Sequence, residues 1–267
     1  MSPLLFSALA LLLFSAGIFG TGVPVFRDLL VLVVPLRYSA RAAVHAGTIP
    51  LWTDGIFFGA PFLADYQSGV FYPPSLIIYA LPFPLGLNVF LAFHVFMAGW
   101  GTTRYLANRE RLDPIESSFG GIVFALGGLL TSLVSLTNHL CAAAWLPWAA
   151  EIVGRLTEQR RSRDFFWLTV VFFLQALSGA PETWLMTTIL VLALAVRTPG
   201  SLRGRLGSLA AVIPAILFAA GLSAFQLLPT AEYAAATERS SGLSLQIVTA
   251  ESLEPRSLLQ LLLPHTF

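Results

Sequence analysis

Hydrophobic residues in this chain run in long blocks divided by short polar turns, a pattern that is counted against the roughly 20 residues of helix needed to cross a bilayer core. The count predicts spans at residues 3–21, 86–106, 117–135, 138–154, 165–180, 183–197 and 208–228. A shorter apolar stretch from Ser75 to Leu81, closed by Pro82 and Pro84, reads as a broken or re-entrant segment. The expected fold class is all-α: a polytopic transmembrane helical bundle forming a single domain over 1–267. No Lys or Arg precedes Arg27, and the run from Pro3 to Phe19 is long for the apolar part of a signal peptide, so it reads as a retained first span. A last apolar stretch begins at Leu258 and stops at Phe267, too short to span. The sequence is therefore expected to be the N-terminal part of a longer protein.

Composition agrees with the pattern. Hydrophobic residues make up 56% of the chain and charged residues 11%, against roughly a quarter charged in a soluble domain. The net charge of +1 and the dispersal of basic residues exclude a nucleic-acid surface, which would gather positive charge on one face. The single cysteine, Cys141, can form no intramolecular disulfide and is expected to pack between helices.

Three arginine-rich turns orient the bundle: Arg104, Arg109 and Arg111; Arg155, Arg160, Arg161 and Arg163; Arg197, Arg203 and Arg205. Arginines beside apolar spans mark the cytoplasmic side. This places 107–116, 155–164 and 198–207 inside, and 22–85, 135–138, the turn near 181 and 229–267 outside. The first external loop, 22–85, is long for a connection, and such loops are usually functional.

Within that loop Arg37, Arg41 and His45 recur every four residues and so share one side of a helix, with Leu36, Ala40, Ala43 and Val44 on the other. Such a helix is expected to lie in the interface, apolar side toward lipid and cationic side toward phosphate, either of ordinary headgroups or of a lipid-linked substrate. Asp28 stands at the membrane surface, where a carboxylate needs a partner or a task; Arg27 offers an ion pair, and proton acceptance from an acceptor hydroxyl offers a function. Asp54 before Gly55 suits a tight turn. Asp65, Tyr66, Gln67 and Tyr72 form a carboxylate, phenol and amide group suited to sugar hydroxyls. His139 follows Asn138 in a short external turn, Glu182 opens a descending helix whose dipole it would also cap, and Glu232 extends the same polar rim.

The run PLWTDGIFFGAPFLADYQSGVFYPP from Pro50, NHLCAAAWLPW from Asn138, SGAPET from Ser178, and GLSAFQLLPTAEY from Gly221 with the following RSSGLS resemble the bacterial YfhO-type membrane protein family over nearly the whole chain. That family is regarded as similar to GT-C glycosyltransferases, polytopic enzymes that transfer sugar from a polyprenyl-phosphate carrier outside the bacterial cytoplasmic membrane. The resemblance implies a GT-C-like fold, Asp28 at the acidic catalytic position of the first loop, 29–46 as the interfacial helix, and an envelope glycan or lipid as acceptor. Many GT-C enzymes pair acidic residues in this loop, whereas Asp28 has Arg27 beside it. YfhO-type chains are also typically much longer.

The histidines His45, His94, His139 and His265 show no ligand spacing, and no zinc, nucleotide-phosphate or serine-nucleophile motif occurs. A divalent cation held by carboxylates is compatible with the sequence but not demanded by it. The rival readings are a lipid or glycolipid transporter, for which His94 and Gln175 are the best midplane polar candidates, and a non-catalytic scaffold of an envelope-synthesis complex.

Overall fold

The computed structural model describes residues 3–20, 22, 28–55, 58–197 and 201–237 with isolated positions beyond, in two compact units, Met1–Thr230 and Ala231–Phe267. Arg27, Arg239 and the apolar stretch from Leu258 lie outside the described residues.

The described chain is mostly helical, with almost no strand. Helices α1 (Pro3–Leu13) and α2 (Ser15–Ile18) form the first apolar run. A π-helical turn at Leu29–Val33 leads into α3 (Val34–His45). Two short strands, β1 (Trp52–Thr53) and β2 (Ala60–Pro61), pair antiparallel with Trp52 opposite Pro61. Then follow α4 (Leu76–Ala80), α5 (Phe83–Asn108), α6 (Pro114–Leu126), α7 (Gly128–Ser132), α8 (Thr137–Ala143), α9 (Leu146–Gln159), α10 (Ser162–Leu177), α11 (Pro181–Arg197), α12 (Leu202–Leu222) and α13 (Ala224–Ala235).

Three stretches are long and apolar enough to cross a membrane: Phe83–Asn108, Pro114–Ser132 and Leu202–Leu222. Their outward faces carry bare apolar side chains, among them Phe119 and Val123 of α6 and Leu217 and Phe218 of α12, which suit a hydrocarbon surround. Other predicted spans are interrupted. The run 3–21 breaks at Phe14. The run 138–154 breaks at Ala144 and Trp145, because Pro147 has no N–H to continue a helix and sits in the first turn of a new one. The chain was expected to leave the last span at Pro229, yet the break falls at Ser223, and α13 continues through Pro229.

Small residues let the first helices approach closely. The Phe6 ring of α1 lies over Gly99 and Gly121, where an added Cβ would come within 2.5 Å and 2.8 Å of it, and Gly121 also faces the Gly99 carbonyl. Two apolar clusters result, one around α5 with Phe62, Val70 and Ile78 of the first loop, the other among α9, α10, α11 and α12. Met97, Phe173 and Leu174 pack against both.

All three arginine turns gather at one end of these helices. Glu151 of α9, 1% exposed, accepts from Arg104 Nε and Nη2 at 3.1 Å, from Asn108 Nδ2 at 2.8 Å and from Arg155 Nη1 at 2.7 Å. Arg155 Nε also donates to the fully buried Asp164 at 3.0 Å. Arg109 forms a two-point pair with Glu158, which holds the glutamate's carboxyl below its usual range and raises the arginine. Arg160 and Gly207 bring the second and third turns together, since a Cβ on Gly207 would meet Arg160 Nη2 at 2.4 Å. Arg155 thus compensates two buried carboxylates at once. Arg155→Gln is expected to cost about 3–5 kcal/mol of stability, the range for stranding a buried charge. Arg104→Gln, whose side chain is 41% exposed, is expected to cost about 1 kcal/mol or less, because Glu151 keeps two other donors. Thermal denaturation of the detergent-purified variants measures the difference.

Candidate functional site

The opposite end of the same helices carries a different kind of polar surface. Its anchor is Arg37, which the sequence places on a phosphate-facing stripe but the structure turns inward to 1% exposure. Nη1 donates to Ser68 O at 3.0 Å, Gly69 O at 2.9 Å and Ser75 Oγ at 3.1 Å, while Nη2 donates to Asn138 Oδ1 at 2.9 Å. The fit is tight enough that Gly69, at φ +55°, has no room for a side chain: a Cβ there would lie 2.1 Å from Nη1.

The rest of the stripe, half-buried at Arg41 and exposed at His45, is also tied to protein carbonyls. Arg41 Nε donates to Leu81 O at 3.2 Å, and His45 Nε2 donates to Tyr79 O at 2.7 Å. Leu36 and Ala40, expected on the lipid side, are buried in the core, while Tyr38 and Val44 are exposed. The reason is the accounting of backbone hydrogen bonds. The turns around α4 present carbonyls at 68, 69, 79 and 81 in an apolar setting, and α3 supplies the donors.

Asn138 passes the tie onward: its Nδ2 donates to Gln67 O at 3.0 Å. A Cβ on Gly179, at φ +86°, would lie 2.3 Å from Tyr66 O and 3.0 Å from that same Nδ2, so the Ser-Gly-Ala-Pro turn is pressed against the 66–67 backbone. Between these elements opens a cleft of about 100 Å³ lined by Asp28, Gln67, Thr137, Asn138, His139 and Gly179, together with Ser135 and the side chains around Leu32. Three residues singled out in sequence, Asp28, Gln67 and His139, converge there. Asp28 is partly exposed at the entry to the π-helical turn, where its side chain caps nothing. His139 Nδ1 bonds Thr183 Oγ1 at 3.0 Å, which fixes the ring and leaves Nε2 without a partner among the described residues.

The other candidates stand around or away from this cleft. Asp65 accepts from Gln67 N–H at 2.9 Å as the cap of a short 3₁₀ turn, and burial raises its carboxyl above the usual value against that bond. The Tyr66 hydroxyl donates to the Ala176 carbonyl at the end of α10. Burial, then the negative charge of Glu182, push that hydroxyl up to about 12. Glu182 itself is exposed in the first turn of α11. Asp54 accepts from Trp52 Nε1 at 2.9 Å within its turn. Glu232 belongs to the second unit, where it is exposed.

Tyr72, expected to contact sugar, is enclosed at 1% exposure. Trp145 Nε1 donates to its oxygen at 2.7 Å, its own proton goes to His94 Nε2 at 2.7 Å, and His94 Nδ1 donates to Phe90 O at 2.7 Å. An indole can only donate and a carbonyl only accept, so the chain has one direction and the His94 tautomer is determined. Every group in it is used, which removes Tyr72 from the surface chemistry.

Asn138 is the residue that spacing alone did not single out. Its signal was present in Thr137-Asn138-His139, a polar triplet between apolar runs. Among the described residues no three His, Cys, Asp or Glu side chains group to hold a metal ion.

Arg37→Met is expected to cost about 3 kcal/mol or more, since it strands buried acceptors on two segments, whereas Arg41→Met removes one bond and about 1 kcal/mol; thermal inactivation of the purified variants separates the two. Tyr66 adds a pH dependence. A hydroxyl raised to about 12 from an ordinary 10.0 contributes stability that is complete below pH 10 and lost as the pH rises through 12. Tyr66→Phe is therefore expected to flatten the loss of stability across that alkaline window in a pH series of melting curves. No family model, curated protein or solved structure matches the chain.

Proposed function

We propose that this chain is a membrane glycosyltransferase of GT-C type, transferring a sugar from a polyprenyl-phosphate-linked donor to an envelope glycan or lipid acceptor at the extracytoplasmic face of the bacterial cytoplasmic membrane. One observation carries the reading. Asp28, from the segment after the first apolar run, shares an open cleft with His139 and Gln67, from segments far away in sequence. The resemblance to YfhO-type proteins, with Asp28 at the acidic position, points the same way.

In this reading an acceptor hydroxyl enters the cleft and its oxygen attacks the anomeric carbon of the donor. Its proton passes to the Asp28 carboxylate as the bond from that carbon to the phosphate oxygen breaks, and polyprenyl phosphate leaves with the electron pair, with inversion at carbon. The volume of about 100 Å³ suits a reacting group rather than a whole sugar, so the donor lies across the cleft from the lipid side. His139, its Nδ1 engaged with Thr183, presents Nε2 to the departing phosphate. Arg37 acts as a positioning residue: through Asn138 it fixes the cleft wall and does not touch substrate. The transporter reading is less well supported, because both ring nitrogens of His94 are engaged within the protein.

The test is Asp28→Asn in the membrane-embedded protein, assayed for transfer of labelled sugar from a polyprenyl-phosphate donor. Loss of a positioned general base is expected to lower turnover by about 10²–10⁴ at unchanged membrane abundance. Full activity of that variant would falsify the assignment and favour a scaffold role.

A further inference from the structure

The arginine end of the bundle contains a larger cavity than the Asp28 cleft, about 620 Å³. Arg104, Arg109, Arg111, Arg155 and Arg163 line it, and the only carboxylates on its wall are those of Glu151 and Glu158. This leaves an excess of three positive charges in one concavity, and still two when Asp164, behind Arg155, is counted.

The donors are held in place and are not all used. Glu151 and Asp164 occupy Nε and Nη2 of Arg104 and Nε and Nη1 of Arg155. Nη1 of Arg104 and Nη2 of Arg155 have no protein acceptor among the described residues. The Arg104 guanidinium is further steadied over the Trp148 ring at 5.6 Å. Arg111 and Arg163 form no ion pair among the described residues, and both are exposed. Fixed guanidinium forks with spare N–H groups match the oxygens of a phosphate group, which can accept from two or three at once.

The cavity's rim suggests where that phosphate comes from. Trp167 lines it and is half exposed, and Phe166 beside it, also exposed, meets the Trp167 ring edge-on at 5.3 Å. An aromatic pair next to a cationic pocket is the arrangement expected at the level of lipid headgroups, rings toward the acyl boundary and guanidinium groups toward phosphate.

We infer that this cleft is a binding site for a phosphate-bearing anion, held by Arg104, Arg111, Arg155 and Arg163, and that its occupant is the headgroup of an anionic phospholipid. The site lies at the other end of α10 from the Asp28 cleft and does not depend on the transfer chemistry proposed there.

Native mass spectrometry of the purified full chain, with phosphatidylglycerol, phosphatidylcholine or inorganic phosphate added, tests it. The informative variant is Arg111→Asn with Arg163→Gln: neither side chain has a hydrogen bond or close ion pair to lose among the described residues, Arg111 acting on Glu158 only through its charge, and Asn tolerates the left-handed backbone at position 111, φ +57°. The wild type is expected to retain phosphatidylglycerol about tenfold more strongly than phosphatidylcholine, and the double variant to lose that preference. Arg205→Gln, an exposed arginine of the third turn, is expected to keep it. Displacement of phosphatidylglycerol by inorganic phosphate, lost in the double variant, would uphold the phosphate site and reassign its occupant to a free phosphate. Equal retention of the two lipids by wild type, unaltered preference in the double variant, or loss of preference in Arg205→Gln overturns the inference.

Discussion

The buried guanidinium of Arg37 is the joint on which one end of this protein is built. Four acceptors from two segments, 68–75 and Asn138, meet on it, and two of them are the backbone carbonyls of Ser68 and Gly69. The turns of this Gly- and Pro-bearing loop pair only part of its backbone, and in an apolar surround each unpaired carbonyl is costly. One long side chain from α3 resolves this by organising 68–75, and through Asn138 it extends the same order to 67 and to the start of α8. The Asp28 cleft is the space left over once these elements are fixed. Its precision is therefore inherited from contacts that face away from it.

At the other end, charge does similar work with the signs reversed. There the buried groups are carboxylates, Glu151 and Asp164, and the arginines come from turns near the surface. A carboxylate inside an apolar run is tolerated only when paired. The pairing explains why α5 and α9 end where α10 begins, and it leaves arginines over to make the cavity cationic.

Sequence showed the helical character and the arginine turns plainly, because both are encoded by local composition. It did not show the break between α8 and α9. A block of apolar residues is continuous by count, and only Pro147, at the start of the new helix, hints at the interruption. The stripe of Arg37, Arg41 and His45 was legible as one side of a helix, since period 3.6 puts i, i+4 and i+8 together. Whether that side met lipid or protein was not legible, because the partners of Arg37 lie from 31 to 101 positions away. Tyr72 failed for the same reason: its partners His94 and Trp145 come from other helices. Asp28, Gln67 and His139 were each visible as polar groups between apolar runs, but their meeting in one cleft depends on Gly179 lying against the 66–67 backbone.

Helix α10 is tied at both tips: Asp164 to Arg155 at its beginning, and the Ala176 carbonyl to Tyr66 at its end. Its 16 residues make it a rod of about 24 Å, and a slip of one helical turn, about 5.4 Å, would release both tips together. The rod is thus indexed lengthwise like a bolt with a head and a nut. Neither polar end of the protein can be re-registered along it without undoing the other, so the spacing between the two clefts is a fixed dimension of the fold.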